Sequence, residues 1–380
     1  MMPIHHGIKI TESGTGTRPI ATASTSVIGL VAIASDADDA TFPLDTPVLI
    51  TDVSAAIGKA GVLGTLAKAL QAIADQCNPI IVVVRVEEGG SLAETNTALI
   101  GTTTSQGQLT GMQALLAAQG KLGVTPKIIG VPGHDNLAVT AAMAAVTQKL
   151  RGMCYAQAQG DVISTAILYR ANFSQRELML LWPDFTAWSG EAVARALGVR
   201  AKIDALVGWH KSISNYGVNG VTGISRDVHF DMAGVATDAA LLNDADITTL
   251  IRNEGFKFWG NRTCSDDPLF AFEPAVRTNY VLQDSIAKGL EWAIDKPITA
   301  ALIKDILKSV NAMFRSLKSQ GLIIGAKAWF DATKNPKEAL AAGKVAISYD
   351  YTPCAPLESL TADANITDVY YADLVNQLAA

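Results

Sequence analysis

The residue types that could support catalysis are scattered along the sequence, and only one position has the context of an active site. His134 follows a predicted strand and Gly133, and it stands directly before Asp135. Ligands of open α/β proteins bind at the carboxyl ends of parallel strands, so this position could hold a catalytic side chain. A second interpretation is a polar loop that caps the following helix, which Pro132-Gly133 and Asn136 favour.

The motifs that would bind a nucleotide or activate a serine are missing from the sequence. At Gly343-Lys344 the phosphate-binding pattern G-x-x-x-x-G-K-[ST] fails, because Glu338 replaces the first glycine and Val345 replaces the hydroxyl residue. Gly14-x-Gly16 lacks a preceding strand and a third glycine. Ser189-Gly190 lacks the earlier glycine of a nucleophile elbow. We therefore predict no nucleotide-binding or hydrolase site.

Metal ligands and paired acids are also poorly arranged. The four cysteines are far apart in sequence, without the spacing of zinc sites, and are predicted to be reduced, buried fillers. His5 and His6 are adjacent but have no third partner, and H-E-x-x-H does not occur. Neighbouring acids such as Asp38-Asp39 would point to opposite faces of a strand. We predict no catalytic, cofactor-binding or metal-binding residues and no enzymatic activity.

The elements that would position a site alternate between strands and helices. Residues 26–33 form a continuous apolar run that is typical of a buried strand, and Asp52 is a candidate helix cap. Strand, helix and strand in this order predict parallel neighbours joined by right-handed crossovers. The other predicted elements are strands 47–51, 80–86, 127–131, 152–157 and 177–182 and helices 63–74, 110–119, 136–150, 162–172 and 191–207. Residues 25–250 are thus predicted to form an open, mainly parallel α/β domain.

The pattern changes after the segment 209–225, which is rich in glycine, serine and asparagine. The clearest later helix is 299–320, because its apolar residues form one stripe and Gly321 closes it. The remaining predicted elements are a helix at 274–294, strands at 322–330 and 345–351, and a lysine-rich loop at 331–344. Residues 251–363 are therefore predicted to form a second, α+β domain.

Both ends of the chain are predicted to be extended arms. Residues 1–24 and 364–380 each carry one strand-like piece beside polar spacers, although a frayed terminus would give the first pattern equally well. The strand-like residues of the two arms are Gly7, Ile8, Lys9, Ile10 and Thr11, and Ile366, Thr367, Asp368, Val369, Tyr370 and Tyr371.

Composition limits the partners. Only 17% of the residues are charged while 49% are hydrophobic, which indicates a charge-poor surface and favours a homo-oligomer over a monomer. A net charge of −6 disfavours nucleic acid as a partner. No apolar run reaches the length of a membrane span, so we expect no membrane insertion and a cytoplasmic origin.

One stretch carries a family resemblance. The run from Asn253 to Thr263 combines two glycines, three aromatic residues and two basic residues, and it predicts a tightly packed junction. Its motif residues are Asn253, Gly255, Trp259, Gly260, Asn261, Arg262 and Thr263. The run resembles contractile tail sheath proteins of phages and R-type pyocins. The G-I-K-I-T segment near the start and the segments 207–215 and 353–360 are similar too.

The resemblance implies a structural subunit of a contractile injection apparatus. Such subunits stack as rings or helical strands around an inner tail tube protein, and the sheath then becomes shorter and wider and drives the tube through a target cell envelope. Baseplate and tail terminator proteins are implied as further partners. The implied location is a virion tail or tail-like particle assembled in the bacterial host cytoplasm. The 25–250 domain would lie outward and the C-terminal domain inward.

A basic row on the helix 299–320 is a candidate for the contact with the tube. Lys304, Lys308, Arg315 and Lys318 recur at spacings of three to four residues around Asn311, which keeps them on one side of a helix. The resemblance implies that this side faces acidic residues of the tube, whereas a solvated helix face is the simpler interpretation. The alternative for the whole chain is a small-molecule or nucleotide-binding α/β protein or enzyme of unknown reaction.

Overall fold

The computed structural model describes residues 18–234, 236–371, 374, 377 and 378. The strand-like piece 7–11 and both residues of the His5-His6 pair lie outside the described residues. Within these residues the strands form one nine-stranded sheet and one two-stranded sheet.

The large sheet contains β1 to β9 and the small sheet contains β10 and β11. The strands are β1 (Ile28–Ile33), β2 (Pro47–Ile50), β3 (Ile81–Val86), β4 (Ile128–Gly130), β5 (Met153–Gln157), β6 (Leu178–Trp182), β7 (Gly217–Val218), β8 (Ile247–Arg252), β9 (Phe256–Trp259), β10 (Ile323–Phe330) and β11 (Ile347–Pro353).

The α-helices fill most of the connections between these strands. They are α1 (Val53–Ile57), α2 (Leu66–Ala74), α3 (Leu92–Ile100), α4 (Ala118–Leu122), α5 (Leu137–Leu150), α6 (Ile163–Arg170), α7 (Glu191–Leu206), α8 (Asp238–Asp244), α9 (Glu273–Gly289), α10 (Ala300–Ser319) and α11 (Lys337–Ala341). Short 3₁₀ helices span Gly111–Ala117, Pro268–Phe270, Glu291–Ala293 and Ala332–Lys334.

The centre of the large sheet is parallel, as predicted. Its strand order is β2-β3-β1-β4-β5-β6-β8-β9-β7, and every pair from β3 to β8 is parallel. One core, which includes α2 and α7, packs on one face, and a second core, which includes α3 and α5, packs on the other. Burial on both faces explains why β1 is a continuous apolar run and β3 is apolar except for Arg85, without alternation in either strand.

The predicted orientation of β2 is wrong. β2 pairs with β3 in antiparallel register, while β1 and β3 form the parallel pair. The helices α1 and α2 between β2 and β3 therefore do not make a crossover between parallel neighbours. A helix between two strands is required for a parallel connection but is equally compatible with an antiparallel one. The predicted cap Asp52 is confirmed, since its side chain accepts the Ala55 N–H at the start of α1.

The segment after α7 contains more regular structure than its composition indicates. Helix α8 lies in this segment, and the hairpin of β8 and β9 extends the large sheet past residue 250. The predicted domain boundary between residues 250 and 251 falls inside β8. The run from Asn253 is thus the turn and second strand of a hairpin. Most of the predicted helix 110–119 is a 3₁₀ helix, which starts at Gly111 with a positive φ of 53°.

The C-terminal α+β region is confirmed with smaller corrections. Strands β10 and β11 pair in antiparallel register, and their inner side chains pack against α10 through Phe314 and Tyr349. The helix predicted at 274–294 ends at Gly289 and continues as a 3₁₀ turn, and the loop 331–344 contains the short helix α11. Within the described ranges, none of the helices has the length and apolar character needed to cross a bilayer.

Candidate functional site

At the carboxyl edge of the large sheet, where an enzyme of this fold would place its site, the start of α7 and the loop after β4 are closed by the chain itself. Asp184 accepts hydrogen bonds from the N–H groups of Gly190 (2.6 Å), Ala192 (2.7 Å) and Phe185 (2.8 Å). Its carboxylate therefore occupies the start of α7, the position at which a helix terminus could bind a phosphate. A Cβ added to Gly190 would lie 2.1 Å from the Gly133 nitrogen, so the two loops also close on each other.

The predicted strand-end residues lie at this edge. Asp135 is buried after β4 and accepts the Gln157 N–H at 2.5 Å, and burial raises the pKa of its carboxyl to about 7. Burial lowers the pKa of His134, and Asn136 caps α5 by accepting the Val139 N–H. The helix-cap interpretation is thus confirmed for Asn136. Among the described residues there is no cluster of three or more histidine, cysteine or acidic side chains suited to a metal ion.

The motif from Asn253 to Thr263 forms the site at which distant segments meet. Its turn is closed by the Asn253 N–H, which donates to the Gly255 carbonyl at 2.9 Å. Gly260 has a φ of 147°, and a Cβ there would lie 2.8 Å from the Thr248 Cα and from the Asn243 side chain. A glycine is therefore required at residue 260 for two reasons, the backbone angle and the close approach of β8.

The segment 207–215 packs directly on this motif. The Gly260 N–H donates to the Ser214 hydroxyl at 3.0 Å, and the Asn215 N–H donates to the Phe258 carbonyl at 2.8 Å. The Ser212 hydroxyl donates to the side-chain oxygen of Asn261. Two of the segments that carry the family resemblance therefore form one packed unit.

Arg262 connects the motif to the third such segment, 353–360. Its Nη2 donates to Glu358 Oε2 at 2.9 Å, and its Nη1 lies 3.9 Å from Asp246 Oδ1. The guanidinium carbon also lies 5.1 Å from the ring centroid of Phe272. The hydrogen bond to Glu358 raises the pKa of Arg262, so the guanidinium stays charged.

A fully buried ionic cluster, not predicted from the sequence, joins α7 to α9. Arg200 donates to Asp204 at 2.6 Å and to Glu273 at 3.1 Å, and Arg277 pairs with the other oxygen of Asp204. Glu273 also accepts the Tyr155 hydroxyl at 2.5 Å, and burial raises the pKa of that phenol. The sequence holds one signal of the cluster, the Arg200–Asp204 spacing of four residues on a predicted helix.

The predicted basic row lies on the exposed side of α10. Lys304, Lys308, Arg315 and Lys318 are all exposed in the single chain, and Lys308 lies 3.9 Å from Asp305. Asn311, between them, is half-buried and bonds to the backbone of Ala328 in β10 in both directions, at 2.9 Å each.

The two arms begin at defined places. In the first arm, the Ala23 N–H donates to the Ser285 hydroxyl of α9 at 3.0 Å, and Arg18 stacks 4.6 Å from the centroid of the Trp292 ring.

In the second arm, the strand expected over 365–371 is not formed in the single chain, where these residues are exposed coil and turn up to the helical Tyr371. A strand needs a partner for its backbone hydrogen bonds, and the described residues provide none there.

Comparison with known proteins identifies the family. Three family models match the chain: "Tail sheath protein Gp18 domain III N-terminal region" at residues 25–86, "Phage tail sheath protein central domain" at 107–264 and "Phage tail sheath C-terminal domain" at 265–367. The chain is 54% identical to the tail sheath protein of Escherichia phage P2, over 100% of this chain and 99% of that protein. It is 45% identical to the major tail sheath protein of Serratia phage KSP20, over 96% of both chains.

The fold agrees with this result. The sheath of an extracellular contractile injection system, solved in its contracted state, superposes with a TM-score of 0.72 at 14% identity, and the match covers 97% of this chain and 99% of that chain. Identity at that level shows the shared fold only, whereas the phage relatives match in sequence along nearly the whole length. The chain belongs to the phage tail sheath protein family.

Proposed function

We propose that this chain is a structural subunit that polymerises as rings or helical strands around an inner tail tube and contracts to drive the tube through a target cell envelope. The similarity to the phage P2 tail sheath protein along the full chain carries this proposal. Its further partners are the tube, baseplate and tail terminator proteins, and assembly takes place in the bacterial host cytoplasm. Contraction runs downhill between two packings of the same folded subunits, so it needs no bound fuel.

A non-enzymatic role is part of the proposal. The Asp184 carboxylate already fills the anion position at the start of α7, and the Gly133 and Gly190 loops close the adjacent crevice. A groove of about 350 Å³ beside them is lined by Gln157, Trp182, Asp184 and Arg226 among other residues, and it is open to solvent. His134→Ala is expected to leave assembly unchanged. A nucleotide-binding or hydrolase signal that responds to this substitution would contradict the structural role.

The arms are proposed as ties that hold neighbouring subunits together while their bodies reorient. The small sheet has only β10 and β11, and in the described chain each has one edge without a strand partner. An arm of a neighbour could add a strand there, and about five hydrogen bonds at ~0.5–1.5 kcal/mol net each would make a durable joint. The contact is heterologous, and heterologous contacts that do not close build filaments.

Truncation tests the ties. Deleting residues 1–20 or 364–380 is expected to leave a folded subunit, because the described part of these ends adds little to the cores, and to abolish assembly. Electron microscopy of the expressed proteins would show hollow cylinders for the full chain and none for either truncation. Cylinders of normal length from a truncated chain would show that its arm is not a required tie.

The basic row on α10 is proposed as the surface that faces the tube. Each exposed ion pair contributes only about 0.2–1 kcal/mol, but repetition around a ring adds these contributions while each contact stays easy to break. The double variant K308E/R315E is expected to weaken assembly on tubes more than assembly of sheath alone. Co-assembly that stays unchanged across a salt series would exclude this role for the row.

A further inference from the structure

The segment that leads into the second arm bonds to the body at two residues, Cys354, whose Sγ donates to the Gly321 carbonyl at 3.5 Å, and Glu358. After β11 ends at Pro353 the chain has no regular structure, and it runs across to the motif site, where Glu358 meets Arg262. Among the described residues beyond Glu358, up to Tyr371, the hydrogen bonds are local to the arm. Glu358 is therefore the last described residue whose side chain bonds to the body.

Arg262 offers a rigid partner for this carboxylate. Its neighbours are held in place by backbone bonds, from the Thr263 N–H to the Ala271 carbonyl at 2.8 Å and from the Glu273 N–H to the Asn261 carbonyl at 3.0 Å. The guanidinium grips one oxygen of Glu358 through both Nη2 (2.9 Å) and Nε (3.3 Å), and Asn261 Nδ2 lies 3.5 Å from the other oxygen. Both carboxylate oxygens are thus engaged by the motif.

We infer that the Arg262–Glu358 pair is a releasable pin that sets where the second arm leaves the subunit. This inference rests on the proposed sheath function. With the pin closed the free arm starts after Glu358, and with the pin open it starts after Cys354, which bonds to the Gly321 carbonyl. Residues 355–358 then add roughly 14 Å of reach at about 3.4 Å per extended residue. A sheath that widens on contraction needs longer ties between neighbours, so the pin is closed in the extended sheath and open in the contracted one.

The chemistry of the pair suits repeated opening. The side chains of Arg262 and Glu358 are 40% and 29% exposed, so water can solvate both groups as they separate. When Glu358 leaves, Arg262 still has Asp246 and the Phe272 ring as neighbours, so its positive charge is not left without a partner. The fully buried pairs of Arg200, by contrast, would leave an uncompensated charge in the interior.

Proteolysis of the full-length subunit tests the pin outside any particle. A glutamyl endopeptidase cuts after glutamate, and a closed pin protects the bond after Glu358. In R262Q the rate of cleavage after Glu358 is expected to rise up to about fivefold, which corresponds to the ~1 kcal/mol contributed by an exposed ion pair. R262K is expected to be cleaved at a rate between those of the parent and R262Q. Cleavage after the exposed Glu338 is the internal control, and R252Q is the matched arginine control. Equal rates at Glu358 in R262Q and the parent chain would refute the pin.

Assembled sheaths test its role in contraction. E358Q and E358R leave the motif intact, and both are expected to shift cylinders from the extended to the contracted form. The arginine variant should change the ratio of contracted to extended cylinders by more than about fivefold, because every subunit repeats the effect. E338R, at an acid that touches only the adjacent lysine, should resemble the parent. If E358R formed cylinders with the parent's ratio of contracted to extended forms, the pin would be overturned. A parent chain that forms no cylinders would count against the sheath function, and the proteolysis result would still decide the pin.

Discussion

Glu273→Gln is expected to destabilise the subunit strongly, because it removes one charge from a balanced buried cluster. Two guanidinium groups, of Arg200 and Arg277, face the two carboxylates of Asp204 and Glu273, and the side chains of Arg200, Asp204 and Glu273 are fully buried. The substitution keeps the volume of the side chain but leaves one positive charge in the interior without compensation. Breaking a buried ion pair in this way costs about 3–5 kcal/mol.

The hydrogen bonds of Glu273 point to the same result. Its Oε1 accepts from Arg200 and from the Tyr155 hydroxyl, and its Oε2 accepts from the Ile213 N–H at 3.2 Å. A glutamine has one acceptor oxygen and one NH₂ group, so at least one of these donors would face another donor. A buried donor without a partner costs about 1–3 kcal/mol, which is less than the cost of the lost charge, so the uncompensated charge sets the expected magnitude.

Urea unfolding at pH 7 would measure this effect. The control is E338Q, at a side chain that is 70% exposed, and its expected change in unfolding free energy is within about 0.5 kcal/mol. If E273Q lost less than ~1 kcal/mol, the cluster would not connect α7 and α9 energetically, and the role assigned to it here would be wrong.

Two further substitutions test the strand edge and the motif. D135N should become more stable than the parent as the pH rises. In the folded parent the pKa of Asp135 is raised to about 7, so between pH ~4 and ~7 the unfolded parent ionises first and the folded parent loses stability. The expected difference in unfolding free energy between D135N and the parent is near zero at pH 4 and up to about 4 kcal/mol at pH 8. A difference that is independent of pH would refute this assignment. G260A should cost about 1–3 kcal/mol more than G255A, because both have positive φ but only Gly260 is crowded by Thr248, and equal losses in thermal unfolding would contradict this.

Much of the fold is predictable because its elements are long and strongly patterned. The buried strands β1 and β6 are continuous apolar runs, β3 and β5 are apolar except for Arg85 and Gln157, and the apolar stripe of α10 together with the stop at Gly321 gives the helix within one residue. These signals are local, so they can be seen without knowledge of the partners.

The missed features depend on contacts between distant residues. β9 is only four residues long and lies between Gly255 and Gly260, and its pairing with β8 and β7 shows that it is a strand. The orientation of β2 depends on which edge strand it reaches. The ionic cluster of Arg200 brings together residues from α7, β5 and α9, and spacing along the chain cannot show that.

The C-terminal arm illustrates a different limit, because the pattern and the single chain disagree there. Residues 366–371 contain the β-branched and aromatic residues that are typical of strands, yet they lie exposed, and Val369 and Tyr370 are 67% and 73% exposed. A strand is stabilised by a neighbouring ladder that supplies backbone partners and covers one face. Within the described chain the small sheet of β10 and β11 still has open edges, and a sheet of two strands is only marginally stable by itself. A strand-like segment without a partner, on the same subunit as a sheet with free edges, supports exchange of strands between copies, and only the polymer would contain both halves of that contact.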